Sequence, residues 1–486
     1  VPISSSSPEN DHNLKRNAIG VAGIVFFVVA AAAPLAAALG ASPVAFMALG
    51  PGAPAAYLLA GIVLLLFAVG YAAMSRYVTS SAGFAAYLDR GLGRFAGFLG
   101  GAVALLAYHC MLFALYGLLG FFTSSIVSGL TGVEWDWRIW TLIAWGGVAV
   151  LGYLEVNLSA KVLGVLMIAE VLIMVIFDVA VIAQGGSEGI NFDGFAPANV
   201  FHDGLGVALL FAASCFVGFE ATAIYGEEAK DPARTVPRAT YAAVVLIAVF
   251  YALSTWATGL AHGNDSVQQA AAENPDNFVF TVNTLFVGAW ATVMMNVLLV
   301  TSCFAVVLAF HNTLARYLFA LGRSEVLPAS LGRTHPRWQS PHRASIVVSV
   351  LTLAVVGGFM LADADPYAQL YSLLVGLGTL GVLVMQASTS VSVIVFFLRN
   401  KHTNTWWSGL IAPALGALGL FGAAALAVTN WSLLTGAESG FTTQLPWLIV
   451  VAAVIGAFWS VIARGKSVSG GPAPVPTPVP CDGPRD

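Results

Sequence analysis

Two glutamates stand inside long apolar stretches of this 486-residue chain. Glu170 lies nine residues beyond Lys161, which at ~1.5 Å per residue puts it ~13 Å along a helix, near the centre of a bilayer-spanning run. An unpaired carboxylate at that depth costs at least ~2.5 kcal/mol, so it needs a partner or a task. Burial disfavours the charged form of a carboxylate, so a buried one can take up and release a proton near neutral pH, the chemistry proton symport needs. Glu220 follows Ser214-Cys215-Phe216-Val217-Gly218, a stretch of small, polar and glycine residues that weakens a helix. Glu170 reads either as a coupling group or as a protonated packing group. Glu220 reads either as a gating or coupling group or as a brace for freed backbone amides. Asp178 reads as a snorkelling group near the surface, and His109, beside Tyr108, as a packing residue.

The elements that position these groups follow from composition. Hydrophobic residues make up 58% of the chain and charged residues 9%, against about a quarter charged in soluble domains. So few charges cannot clothe a water-facing surface, so most of the surface is expected to face lipid. Twelve apolar runs fit spans of ~20 residues: about 18–48, 54–77, 95–127, 138–154, 157–183, 202–227, 237–261, 281 to beyond 311, 344–361, 367–398, 406–428 and 445–462. With the N-terminus placed in the cytoplasm and the sides alternated, all Lys and Arg outside the spans fall inside except Arg138, as the positive-inside rule asks. Both termini are therefore expected to be cytoplasmic. Residues 1–17 read as a cytoplasmic tail rather than a cleavable leader, and residues 465–486, rich in Pro, Gly and Ser, as a disordered one. The span of 18–464 between them is the expected membrane domain.

Two spans are interrupted. The first carries Pro34 after Ala30-Ala31-Ala32-Ala33; proline removes a donor and clashes with the carbonyl four residues back. The sixth is weakened at Ser214 to Gly218. The first and sixth spans hold corresponding places in two five-helix halves, the pattern of an inverted-repeat transporter with a mid-membrane site at broken backbone. A plain proline kink and a close-packing glycine are the alternative. Ala31, Ala32, Ala33, Pro34, Ser214, Cys215, Phe216, Val217 and Gly218, with Tyr108 from the third span, are the candidate substrate-binding residues, and Glu170 and Glu220 the candidate coupling or gating residues.

The stretch from Phe216 to Thr240, FVGFEATAIYGEEAKDPARTVPRAT, resembles the corresponding signature of the amino acid–polyamine–organocation (APC) permeases. Asn312 to Arg323 with Leu327-Pro328 is similar to the inner end of the family's eighth helix, and Ser81 to Tyr87 is a weaker match. The resemblance implies an all-α polytopic membrane protein of about twelve helices. It implies a LeuT-type arrangement of five plus five inverted helices (about 18–183 and 202–398), with two more at about 406–464. It implies uptake or exchange of amino acids or related amines by alternating access. It puts the family's helix 6 glutamate on Glu220. Through Ser159-Ala160 it puts Glu170 where some members carry a lysine that replaces a sodium ion. Many members break the first helix at a Gly-Ser-Gly sequence; this chain has Ala31-Ala32-Ala33-Pro34, whose amides would have to serve a substrate carboxylate instead. The run Glu227-Glu228-Ala229-Lys230-Asp231-Pro232 reads as an inner gate held by salt bridges or as a solvated turn.

Other classes are disfavoured. The chain contains no GxxxxGK[ST] loop and no room for a nucleotide-binding domain, which argues against a primary pump. Gly91-Leu92-Gly93-Arg94-Phe95-Ala96-Gly97 has the wrong spacing for a dinucleotide site. The four cysteines show no paired or metal-like spacing, so no enzyme, metal or cofactor is expected. A net charge of −4 points to no nucleic-acid partner. The expected partners are a small-molecule substrate, protons and the bilayer. A proton-coupled amino acid permease leads, a polyamine or organic-cation permease or an exchanger follows, and a channel or sensor lacks a pore-lining repeat or an output domain.

Overall fold

The computed structural model describes residues 20–78, 83–154, 160–220, 222, 230–323, 326–338, 340–400, 406–435, 440 and 442–463. Both expected tails, 1–17 and 465–486, lie outside them, as do residues 227–229 of the mixed-charge run. The described chain is helical: α1 (Val21–Ala31), α2 (Pro34–Leu49), α3 (Ala53–Met74), α4 (Phe84–Leu92), α5 (Arg94–Thr131), α6 (Trp137–Leu154), α7 (Ala160–Gln184), α8 (Pro197–Val200), α9 (Leu205–Ser214), α10 (Pro232–His262), α11 (Val267–Glu273), α12 (Phe278–Phe286), α13 (Ala289–Arg323), α14 (His342–Leu361), α15 (Ser372–Arg399), α16 (Ala412–Thr429), α17 (Trp431–Thr435) and α18 (Trp447–Ile462). π-helical turns at Pro366–Tyr371 and Trp407–Ile411 lead into α15 and α16. Among the described residues nine helical runs are long and apolar enough to cross a membrane, and α9 and α18 are shorter apolar helices. The protein is a polytopic membrane protein.

The outer faces show which solvent surrounds it. On α7, Val165, Ile168, Leu172, Val175 and Val179 are exposed, a stripe at alternating steps of three and four that a helix lines up on one face. The opposite face buries Glu170, Ile173, Met174, Phe177, Asp178 and Val181. α18 likewise exposes Val450, Val451, Val454, Ile455, Phe458 and Val461. An apolar face this continuous is stable only against lipid.

The two ends of the bundle differ in charge. At one end Arg94, opening α5, donates to the carbonyls of Ser460 and Ala463 at the end of α18. There too Arg399 reaches Gly91 O, and Trp459 Nε1 reaches Val326 O. Arg76, Arg90, Arg316, Arg323, Arg333, Arg337 and Arg343 belong to the same end by chain order. At the other end Arg138 pairs with Asp136 and Asp363, and Ser125 donates to Asp276 at 2.7 Å. Arg138 is the sole Lys or Arg there among the described residues.

That second end holds an open vestibule of about 680 Å³, lined by the Ser124-to-Ser128 face of α5, Glu134 to Arg138, Asp276, Asp363 and Pro366. The expected loop at 262–280 contains α11 and the start of α12, and the expected eighth span is divided at Val287-Gly288 into α12 and α13.

Asp178 departs from the snorkelling expectation. It is 2% exposed and accepts a hydrogen bond from Ser254 of α10 at 2.7 Å. Counting residues gave its depth along α7 but not its direction, and α10 packs on the face that carries it.

Candidate substrate site at two helix breaks

The first break forms where proline predicts it. α1 ends at Ala31 and α2 starts at Pro34, with Ala33 in the left-handed region at φ 46°, ψ 71°. Proline suits the first position of a helix because its missing N–H would have no partner there, and it disfavours helical geometry in the residue before it. A left-handed alanine costs ~1–2 kcal/mol, so the surrounding packing holds this break open without glycine. The second break follows α9: residues 215–218 form turns, and Gly218 has φ 110°, a conformation that excludes a β-carbon at low cost.

Each break is engaged by one of the two glutamates. Glu170 is 4% exposed, and its Oε2 accepts from Leu35 N in the first turn of α2 at 3.4 Å and from Ser302 Oγ of α13 at 2.8 Å. Glu220 is 6% exposed; its Oε2 accepts from Gly218 N at 3.0 Å and its Oε1 from Tyr108 Oη of α5 at 2.6 Å. Its carbonyl accepts from Tyr71 Oη of α3 at 3.1 Å. Two carboxylates far apart in sequence thus do the same local job, satisfying an amide freed by a broken helix.

The breaks meet at a small, partly open cavity of about 40 Å³. Ala32, Ala33, Ala36, Ala37, Ser214 and Val217 line it from the broken segments, facing Met111, Leu115 and Leu118 of α5, Val306 and Phe310 of α13, Val375 of α15 and Tyr371. Of the residues singled out in the sequence, Ala32, Ala33, Ser214 and Val217 line the cavity. Pro34, Cys215, Phe216 and Gly218 belong to the breaks without lining it, the Ala31 side chain lies outside the described ones, and Tyr108 is joined to Glu220. Pro34 has no N–H and the Leu35 amide donates to Glu170, so neither offers a donor to a substrate carboxylate. Cys110, Cys215 and Cys303 are free and buried. His109 is buried with Nδ1 2.7 Å from Leu105 O, and its Nε2 has no hydrogen-bond partner among the described residues.

Sequence reasoning passed over Ser302 and the whole apolar wall. Thr301-Ser302-Cys303, a small polar cluster in an apolar run, was the signal for the first; the second left none. The rings of Phe121, Tyr367 and Tyr371 stack in succession, with centroids 4.8 and 5.4 Å apart. Phe121 lines the vestibule and Tyr371 the cavity, and Tyr367 Oη donates to Gly40 O of α2 at 2.8 Å. These rings separate the two spaces.

Residues 18–458 match the amino acid permease family. The chain belongs to that family, within the APC superfamily. It is 26% identical over 270 residues to an uncharacterized transporter of Mycobacterium tuberculosis, covering 55% of this chain and 56% of the relative. It is 25% identical over 265 residues to a branched-chain amino acid permease of Bacillus subtilis, covering 52% and 50%. It is 28% identical over 210 residues to a low-affinity putrescine importer of Escherichia coli, covering 42% and 43%. The permease aligns with about half the length of these relatives.

Proposed function

We propose that this permease takes up amino acids by alternating access, coupled to protons through Glu170. The observation that carries the reading is the position of Glu170. A protonatable group joins the start of α2, where the first span is broken, to Ser302 on α13. As a carboxylate it accepts both bonds with charge assistance. Taking up a proton removes that charge and weakens the joint. The equilibrium between the two access states then depends on protonation, which is the linkage symport requires.

The same reading gives the chain twelve spans in a five-plus-five inverted arrangement, with repeats at about 18–183 and 202–398 and two additional helices at about 406–464. Two broken helices facing one cavity support it. The basic end of the bundle supports a cytoplasmic location for that end and for both termini. The stacked rings above the cavity act as the gate on the vestibule side, and Tyr108–Glu220 as the gate toward the basic side.

The resemblance to a putrescine importer keeps an amine substrate as the second reading. It would need Glu170 or Glu220 to meet a substrate ammonium group, and neither carboxylate lines the cavity.

The test is uptake of a labelled amino acid panel plus putrescine into proteoliposomes, under an inward proton gradient and separately a sodium gradient. Wild type is compared with Glu170→Gln. Proton-driven amino acid accumulation that the variant loses, with exchange retained, supports the reading. Sodium-driven uptake, or proton coupling unchanged in the variant, removes Glu170 from that role. Uptake of putrescine alone promotes the second reading, and uptake that runs only against internal substrate makes the protein an exchanger.

A further inference from the structure

We infer that the substrate is a neutral amino acid with a small to medium aliphatic side chain, of the size range alanine to isoleucine. The inference rests on the proposed amino acid transport and names the class this cavity selects.

The cavity divides by chemical kind. The broken segments supply four alanines, Val217 and Ser214, the helices α5, α13 and α15 supply only apolar side chains, and Tyr371 adds a phenol. Among the described residues no Asp, Glu, Lys, Arg or His lines it. Of the two buried glutamates nearest the breaks, Glu220 has both oxygens engaged, by Gly218 and Tyr108, Glu170 takes Leu35 and Ser302 on Oε2, and neither is among the residues that line the cavity. A substrate ammonium or guanidinium placed against this wall would lose its hydration and gain no counter-charge. A second carboxylate would fare no better, with no cation to meet it.

Size points the same way. At about 40 Å³ the space is far below the ~300 Å³ at which pockets for drug-sized ligands begin. Methionine and leucine side chains in the wall can yield to a branched aliphatic chain, whereas an arginine or a polyamine needs both length and polar partners.

The test is equilibrium binding of tritiated leucine to the purified protein, without gradients, with competition by alanine, valine, isoleucine, lysine, arginine, glutamate and putrescine. The aliphatic amino acids should compete, and the charged compounds should be at least about 100-fold weaker. Val306→Asp, which adds a carboxylate to the wall, should lose leucine binding and gain lysine. Leu115→Ala, which only enlarges the wall and guards against a misfolded aspartate variant, should weaken leucine and strengthen phenylalanine. Lysine, arginine or glutamate competing as well as leucine overturns the inference and leaves amino acid transport standing. Leucine-to-phenylalanine preference unmoved by Leu115→Ala also overturns it. Failure of every amino acid to bind or to accumulate under a proton gradient overturns the transport reading itself.

Discussion

Tyr108 and Glu220 stand 2.6 Å apart, hydroxyl to carboxylate, and that bond ties α5 to the turn that ends α9. The Glu220 carboxylate has no other side-chain donor among the described hydrogen bonds: its second oxygen is held by the Gly218 amide, and Tyr71 donates to the Glu220 carbonyl instead. Tyr108 therefore controls one of the two anchors of this break.

Tyr108→Phe removes that anchor and keeps the ring, whose centroid lies 6.4 Å from that of Phe310. A hydrogen bond to a charged group contributes ~1.5–3 kcal/mol, so the balance between access states should shift by roughly 10–100-fold. Initial uptake rates in proteoliposomes should fall accordingly, while the melting profile in detergent stays close to wild type. Unchanged rates would show that Glu220 braces the backbone without gating.

Ser302→Ala removes the shorter of the two bonds to Glu170, leaving the 3.4 Å contact with Leu35. Proton-driven accumulation should drop by about tenfold, with a net loss of ~1–3 kcal/mol at the joint, and substrate exchange should persist. Comparing accumulation with counterflow in one vesicle preparation separates the two.

Tyr367→Phe keeps the ring stack and deletes only the bond to Gly40 O. At ~1 kcal/mol net, the vestibule side should open about fivefold more often. An Ala37→Cys reporter beneath the rings should then react proportionally faster with an impermeant maleimide applied from that side. Equal labelling rates would remove Tyr367 from the gate.

Gly206→Ala tests how the broken α9 is seated. A β-carbon there would lie 2.4 Å from Leu426 O and 2.5 Å from Leu426 C of α16. Backbone cannot step aside as a flexible side chain does, so overpacking should destabilise the protein by about 1–3 kcal/mol. Thermal melting followed by tryptophan fluorescence should register it as a lower midpoint.

Much of the outline was legible in the chain. Pro34 marked the first break because proline deletes a donor whatever surrounds it, and Gly218 marked the second because a φ of 110° admits little else. Glu170 stood out because charge inside an apolar run is costly in any fold. Ser302 was not assigned, since it lies 132 residues from Glu170 and only the docking of α13 on α7 joins them. Asp178 was read as a snorkelling group and is buried instead, because its neighbour Ser254 comes from α10.

Composition and local backbone chemistry alone determined that this protein lives in a bilayer, where its helices break and which carboxylates need partners. Tertiary structure decided which apolar side chains line the cavity and which meet lipid. Leu115 and Val306 line the first; Val165 and Val454, on an exposed face, meet the second. Both environments select the same side chains, so a hydrophobic pattern that would point inward in water has no direction in a membrane.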